Sequence, residues 1–110
     1  MGLLVDPFLN TAIRAARKAG DIITRAIVQN TRLQIQQKST NDFVTHIDRA
    51  AEEAILDILL QAYPEHSVLA EESGYTGSQN AEHLWIIDPL DGTHNFIRGL
   101  PQFTVSIALQ

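Results

Sequence analysis

The stretch Trp85–Phe96, W-I-I-D-P-L-D-G-T-H-N-F, restricts the possible folds more than any other part of the chain. Trp85-Ile86-Ile87 has the composition of a buried strand, and it runs directly into two aspartates three residues apart. Pro89 pushes the residue before it into an extended conformation, so Asp88 is expected at the strand's end, with Asp91 one turn later. Gly92 then lets the backbone pass close to another group. A short helix beginning near Thr93 would turn the amides of Gly92 and Thr93 outward.

Such a segment has two readings. D-P-L-D-G-T is good turn chemistry, with aspartates capping backbone amides. It is also a site for a hard cation and an anion together. Two carboxylates so placed repel each other unless positive charge lies between them. Mg²⁺ takes one or two carboxylates together with water and phosphate oxygens, and the exposed carbonyl of Leu90 is a further candidate ligand. The Gly92 and Thr93 amides suit phosphate oxygens, and the Thr93 hydroxyl could instead orient a water.

The rest of the chain frames this segment. Its 110 residues allow one domain at most. Asp6 and Pro7 suit a helix start, and Leu9, Ile13, Ala16, Ala19, Ile23 and Ile27 recur at helical spacing, which predicts a helix over 6–29. Arg14, Arg17 and Lys18 fall off that stripe, and Gly20 suggests a close helix contact. Leu33 to Gln37 alternates as a short extended piece would, and Lys38 to Asp42 reads as a polar loop. A second helix is expected over 45–62, capped by Thr45 and burying Ile47, Ala51, Ile55, Ile58, Leu59 and Ala62. Glu52 and Glu53 lie off that stripe and read as solvated. Tyr63-Pro64 ends the helix. Strands are expected at 67–70, 84–87 and 103–109, with 74–82 as a polar loop. Helices first and strands later give an α+β layering of helices on a sheet.

The first of these strands delivers Glu71-Glu72-Ser73. Alternation along an extended chain would let one of the two glutamates reach a metal, and a charged loop start is the competing reading. Asp48 opens the second helix, where a carboxylate favours the helix dipole. The four histidines, His46, His66, His83 and His94, show no paired ligand spacing, and Trp85 reads as core. The net charge of −5, with no basic stripe, argues against general nucleic-acid or membrane-surface binding. There are no cysteines, hence no disulfide or thiolate site, which suits a cytoplasmic protein. The N-terminus carries no signal-peptide pattern.

Three blocks together resemble the inositol monophosphatase family of Mg²⁺-dependent, lithium-sensitive phosphatases, bacterial members above all. They are K-S-T-N-D-F-V-T-H-I-D at 38–48, E-E-S at 71–73, and the Trp85 block with the G-L-P-Q-F-T-V-S-I-A-L that follows it. The resemblance covers essentially the whole chain. It implies the α+β helix/sheet sandwich of the sugar-phosphatase fold and an activity hydrolysing inositol monophosphate. It further implies that Glu71, Asp88 and the Leu90 carbonyl bind one Mg²⁺, and that Asp88 and Asp91 contribute to a second. Asp48 and Thr93 would position and deprotonate the attacking water. The Gly92 and Thr93 amides would hold phosphate, Asp91 would touch the sugar hydroxyls, and Lys38 would balance charge. His94 stands where relatives often carry threonine. Family members are about twice this length or more, so residues 1–110 are expected to be the metal- and phosphate-binding domain of a longer, commonly dimeric, enzyme. Alone they are expected to show poor activity or none. Related phosphatases of sugar bisphosphates or 3′-phosphoadenosine nucleotides share the D-P-x-D-G-T core. Some bacterial relatives are linked to transcription and RNA processing, which leaves a regulatory, protein-binding role as an alternative.

Overall fold

The structure, a computed structural model, describes residues 6–33, 37–91 and 104–110. Helix α1 spans Pro7–Leu33. Asp6 caps it: its Oδ1 accepts the Phe8 N–H at 2.8 Å, and its carbonyl accepts the Asn10 N–H at 2.9 Å. The helix runs four residues past the expected end at 29. Its buried face meets the expected stripe at Ala19 and Ile23 and differs elsewhere. Thr11, Ala15, Ala19, Ile23 and Ala26 are inside, whereas Leu9 and Ile13 are 55% and 39% exposed. Close packing on a second helix selects the small side chains, and the larger apolar residues are turned away from it. Among the described residues, no heavy atom outside its own helical turn and chain neighbours lies within 4 Å of where a Cβ on Gly20 would sit, so the expected close contact is not seen there.

Helix α2 spans Gln37–Ala62. The expected loop at Lys38–Asp42 is therefore helical, and Leu33 and Gln37 are helical ends, not parts of an extended piece. No Pro or Gly interrupts the sequence from Gln37 to Ala62, and the polar residues of the expected loop are only mildly unfavourable in a helix. With the start moved to Gln37, Thr45 is not an N-cap, and Asp48 lies more than two turns inside, beyond the reach of the N-terminal dipole. Ile47, Ala51, Ile55 and Leu59 are buried as expected, but Ala62 is exposed. The helix stops before Tyr63-Pro64.

The strands are β1 (Ser67–Ala70), β2 (Gly74–Thr76), β3 (Leu84–Asp91) and β4 (Thr104–Leu109), in the order β2-β1-β3-β4. β1 and β3 are parallel and the other pairs antiparallel. β2 was expected to be loop. It is three residues long, too short for any period-2 signal. β3 continues past Ile87 through Pro89 to Asp91, so Asp88 lies within the strand and not at its end. There the pairing shifts: Asp88 faces Ser106 and Asp91 faces Thr104, three steps on β3 against two on β4. Proline removes a ladder donor and is accommodated at such bulges. The expected helix after Thr93 lies outside the described residues.

Both helices cover one face of the sheet. Register aligns Val68 with Trp85 and Leu109, and Ala70 with Ile87 and Ile107, as inward rows. Val68, Ala70, Trp85 and Ile87 join Ile23, Ile55 and Leu59 in one core, while Leu69, Tyr75 and Ile86 are exposed. Each fully buried large aliphatic contributes about 1.5–3 kcal/mol. Trp85 is core, as its sequence context predicts, and its indole N–H donates to His66 Nδ1 at 3.0 Å. Tyr63 stacks on the His66 ring at 4.7 Å, and Phe8 meets Tyr63 edge-on at 4.9 Å. Burial, then the neighbouring His83, lowers the His66 pKa, consistent with a neutral ring accepting from Trp85. Among the described residues no helix is long and apolar enough to cross a membrane.

Two glycines give opposite expectations. Gly77 has φ 109°, and a Cβ there would lie 2.8 Å from Ser67 Oγ and 3.0 Å from the His66 carbonyl oxygen. Gly77→Ala should lower unfolding free energy by about 2–5 kcal/mol. Gly20→Ala, in an open helix interior, should raise it by about 0.5–1 kcal/mol. Urea denaturation of the two variants checks both signs.

Candidate metal centre

Three elements bring acidic side chains together. The parallel register aligns Ala70 with Ile87, so Glu71, which leaves β1, comes beside Asp88, which is still within β3. The chain then turns through Glu71-Glu72-Ser73 and returns as β2, closed by Gly74 at φ 72°. Asp48 approaches from α2. One carboxylate oxygen each from Asp48, Glu71 and Glu72 lies within 4.8 Å of the others. The sequence reading brought one glutamate of the pair to the site, on the assumption of an extended chain. Residues 71–73 form a turn, strand alternation does not apply, and both carboxylates face Asp48.

The electrostatics are unfavourable as they stand. Asp48 Oδ1 is buried without a hydrogen-bond partner among the described residues. Burial first, then the charges of Glu52, Glu72, Glu71 and Asp88, push the Asp48 pKa from 3.8 up to about 7. Asp88 is the largest cause of a raised pKa at Glu71, followed by burial, Glu72 and Glu52, and then by a side-chain hydrogen bond with Asp88. A cation does approach: Arg49 Nε lies 4.0 Å from Glu72 Oε1, with the Arg49 side chain 68% exposed. An ion pair that open to water contributes about 0–1 kcal/mol and leaves Asp48 unaddressed.

Glu52 was expected on a solvated face and is fully buried. Its Oε2 accepts the Glu72 N–H at 2.8 Å, and its Oε1 accepts the Ser73 N–H at 2.8 Å and the Ser73 hydroxyl at 2.6 Å. The available signal was position: Asp48, Glu52, Ile55 and Leu59 follow one another at spacings of four, three and four, a single helix face.

The donor set is all oxygen, charged and partly buried, with one orphaned carboxylate oxygen. That chemistry fits a hard divalent cation, and not a soft or nitrogen-seeking one. Asp48, Glu71 and Asp88 from the sequence reading are thus brought into one locality. Leu90 and Asp91 continue β3 beyond Asp88, and Lys38 sits in the first turn of α2. The side chains of these three, and the whole of Gly92, Thr93 and His94, lie outside the described residues.

Comparison with known proteins agrees with this picture. Residues 4–110 match the model of the inositol monophosphatase family. The Nus factor SuhB of Pasteurella multocida is 51% identical over 106 residues, covering 96% of this chain and 40% of that protein. Among solved structures, the extragenic suppressor protein suhB of Bartonella henselae superposes with a TM-score of 0.80 at 37% identity, covering 96% of this chain and 39% of the other. An inositol monophosphatase from Anabaena does so with a TM-score of 0.74 at 41% identity, covering 93% and 34%. The chain therefore spans about two-fifths of the length of the curated relatives it matches. On sequence and on fold alike, this α+β chain belongs to the inositol monophosphatase family.

Proposed function

We propose that residues 1–110 form the metal- and phosphate-binding domain of a Mg²⁺-dependent phosphomonoesterase that hydrolyses inositol monophosphate to inositol and phosphate. The observation that carries this reading is Asp48 Oδ1, buried, unpartnered among the described residues and facing two further carboxylates. In this reading Glu71, Asp88 and the Leu90 carbonyl hold one cation, and Asp88 with Asp91 contributes to a second. Bound Mg²⁺ supplies Lewis-acid polarisation of the phosphoryl group and acidifies water.

The chain's own residues do the rest. Neutralising the surrounding carboxylates returns Asp48 to its ionised form, the form that accepts a proton from the attacking water, with Thr93 orienting that water. The amides of Gly92 and Thr93 bind phosphate oxygens. Asp91 contacts the alcohol part of the substrate, and Lys38 balances charge near the site. Related activities on sugar bisphosphates or 3′-phosphoadenosine nucleotides are the enzymatic alternative, and a substrate panel separates them.

A second reading has its own support, since curated relatives at about half identity are named Nus factor SuhB. A regulatory, protein-binding role in transcription or RNA processing is compatible with catalysis. Asp88→Asn separates the two. In the full-length protein, phosphatase turnover should fall more than about 100-fold while partner binding persists. Retained turnover would contradict the catalytic assignment.

The raised pKa values make a further prediction. Asp48, with a folded pKa of about 7 against an ordinary 3.8, favours the fold most below the ordinary value. That contribution is lost as pH rises through about 7, and Glu71, also raised, acts in the same sense. Metal competes with the proton for the same oxygens. The rise in Tm produced by saturating Mg²⁺ should therefore be larger at pH 8 than at pH 6. Differential scanning calorimetry at the two values checks it, and equal shifts would contradict it.

A further inference from the structure

Glu52 is a carboxylate at 0% exposure, one helical turn from Asp48, in a neighbourhood that already holds four other acidic groups. Burying a charge there is costly unless it is satisfied by hydrogen bonds. It is satisfied entirely by the 71–73 turn: both of its oxygens accept backbone N–H groups, from Glu72 and Ser73, and Oε1 also accepts the Ser73 hydroxyl. A glutamine in the same place could not do this. Its amide group would present N–H to one of the two backbone N–H donors. A charged, two-oxygen acceptor is what this turn requires.

We propose that Glu52 is the positioning residue of the metal centre: it clamps the β1–β2 turn to α2 and so fixes the distance between Asp48 and the carboxylates of Glu71 and Glu72. This rests on the metal-binding reading above. Asp48 and Glu52 lie one turn apart on one rigid helix. Among the described residues, the turn that carries Glu71 and Glu72 is otherwise joined to α2 through the sheet and the exposed Arg49–Glu72 pair, which is too open to water to hold it. Carboxylates that repel each other would drift apart on a free turn. Tied through Glu52, they stay within 4.8 Å of Asp48. Glu52 thus acts through the turn and need not touch the ion.

Isothermal titration of the purified protein with Mg²⁺, with amide hydrogen exchange at Glu72 and Ser73, tests the assignment. Glu52→Gln should weaken Mg²⁺ binding by about 10–100-fold and accelerate exchange at both amides, while far-UV circular dichroism stays that of the wild type. Ser73→Ala removes one of the three bonds and leaves the charge, so a weakening of about 2–5-fold is expected. It carries the test if Glu52→Gln does not fold. Wild-type Mg²⁺ affinity in a folded Glu52→Gln variant, or in Ser73→Ala when that variant alone folds, overturns the proposal. Failure of the wild-type protein to bind Mg²⁺ at millimolar concentration overturns the functional reading and this inference with it. The two failures are therefore distinguishable.

Discussion

Uncompensated negative charge is the constraint on which the rest of this structure turns. Glu52, Glu72, Glu71 and Asp88 all bear on Asp48, and Asp88, Glu72 and Glu52 bear on Glu71. Glu52 finds backbone and hydroxyl donors, whereas Asp48 Oδ1 finds none among the described residues. A fold that only needed stability would not gather these groups, because apolar residues of similar volume would serve as well or better. The cluster makes physical sense as a site completed by a positive partner.

The scaffold explains why the cluster holds together. Parallel pairing of β1 with β3, ending at Ala70 and Ile87, brings Glu71 of the following turn beside Asp88 of β3. The inward rows set by Val68, Trp85 and Leu109, and by Ala70, Ile87 and Ile107, anchor both strands against the helices immediately before they deliver their carboxylates. At the opposite end of β1, the Trp85–His66 bond and the Tyr63 and Phe8 rings lock the entry of the chain into the sheet. The bulge at Asp88/Asp91, beside Pro89, changes the pairing at the point where the acidic segment begins. Packing is thus tight where the strands start and charge is concentrated where they finish.

Much of this was legible in the sequence, for reasons that can be named. The apolar run Trp85-Ile86-Ile87 marked β3, because a short apolar run bounded by turn residues reads as a buried strand, although the strand runs on through Pro89 to Asp91. The paired glutamates after β1 were visible for the same local reason. What stayed hidden depended on partners far along the chain. Glu52 reads as solvated when a stripe is drawn from apolar residues alone, and its burial follows from a turn twenty residues later. Leu9 and Ile13 were assigned to the core by hydropathy, although the α1–α2 contact selects alanines. The start of α2 was placed at Thr45 because polar residues resemble a loop when propensity is the sole guide.

Anomalous scattering from crystals grown with Mn²⁺ in place of Mg²⁺ tests the central claim most directly, since Mn²⁺ accepts the same hard oxygen ligands. The account predicts an anomalous peak at coordination distance from both Glu71 and Asp88, with the 71–73 turn still bonded to Glu52. Saturating Mn²⁺ with no peak among these carboxylates, or with a peak only at the protein surface elsewhere, would contradict it.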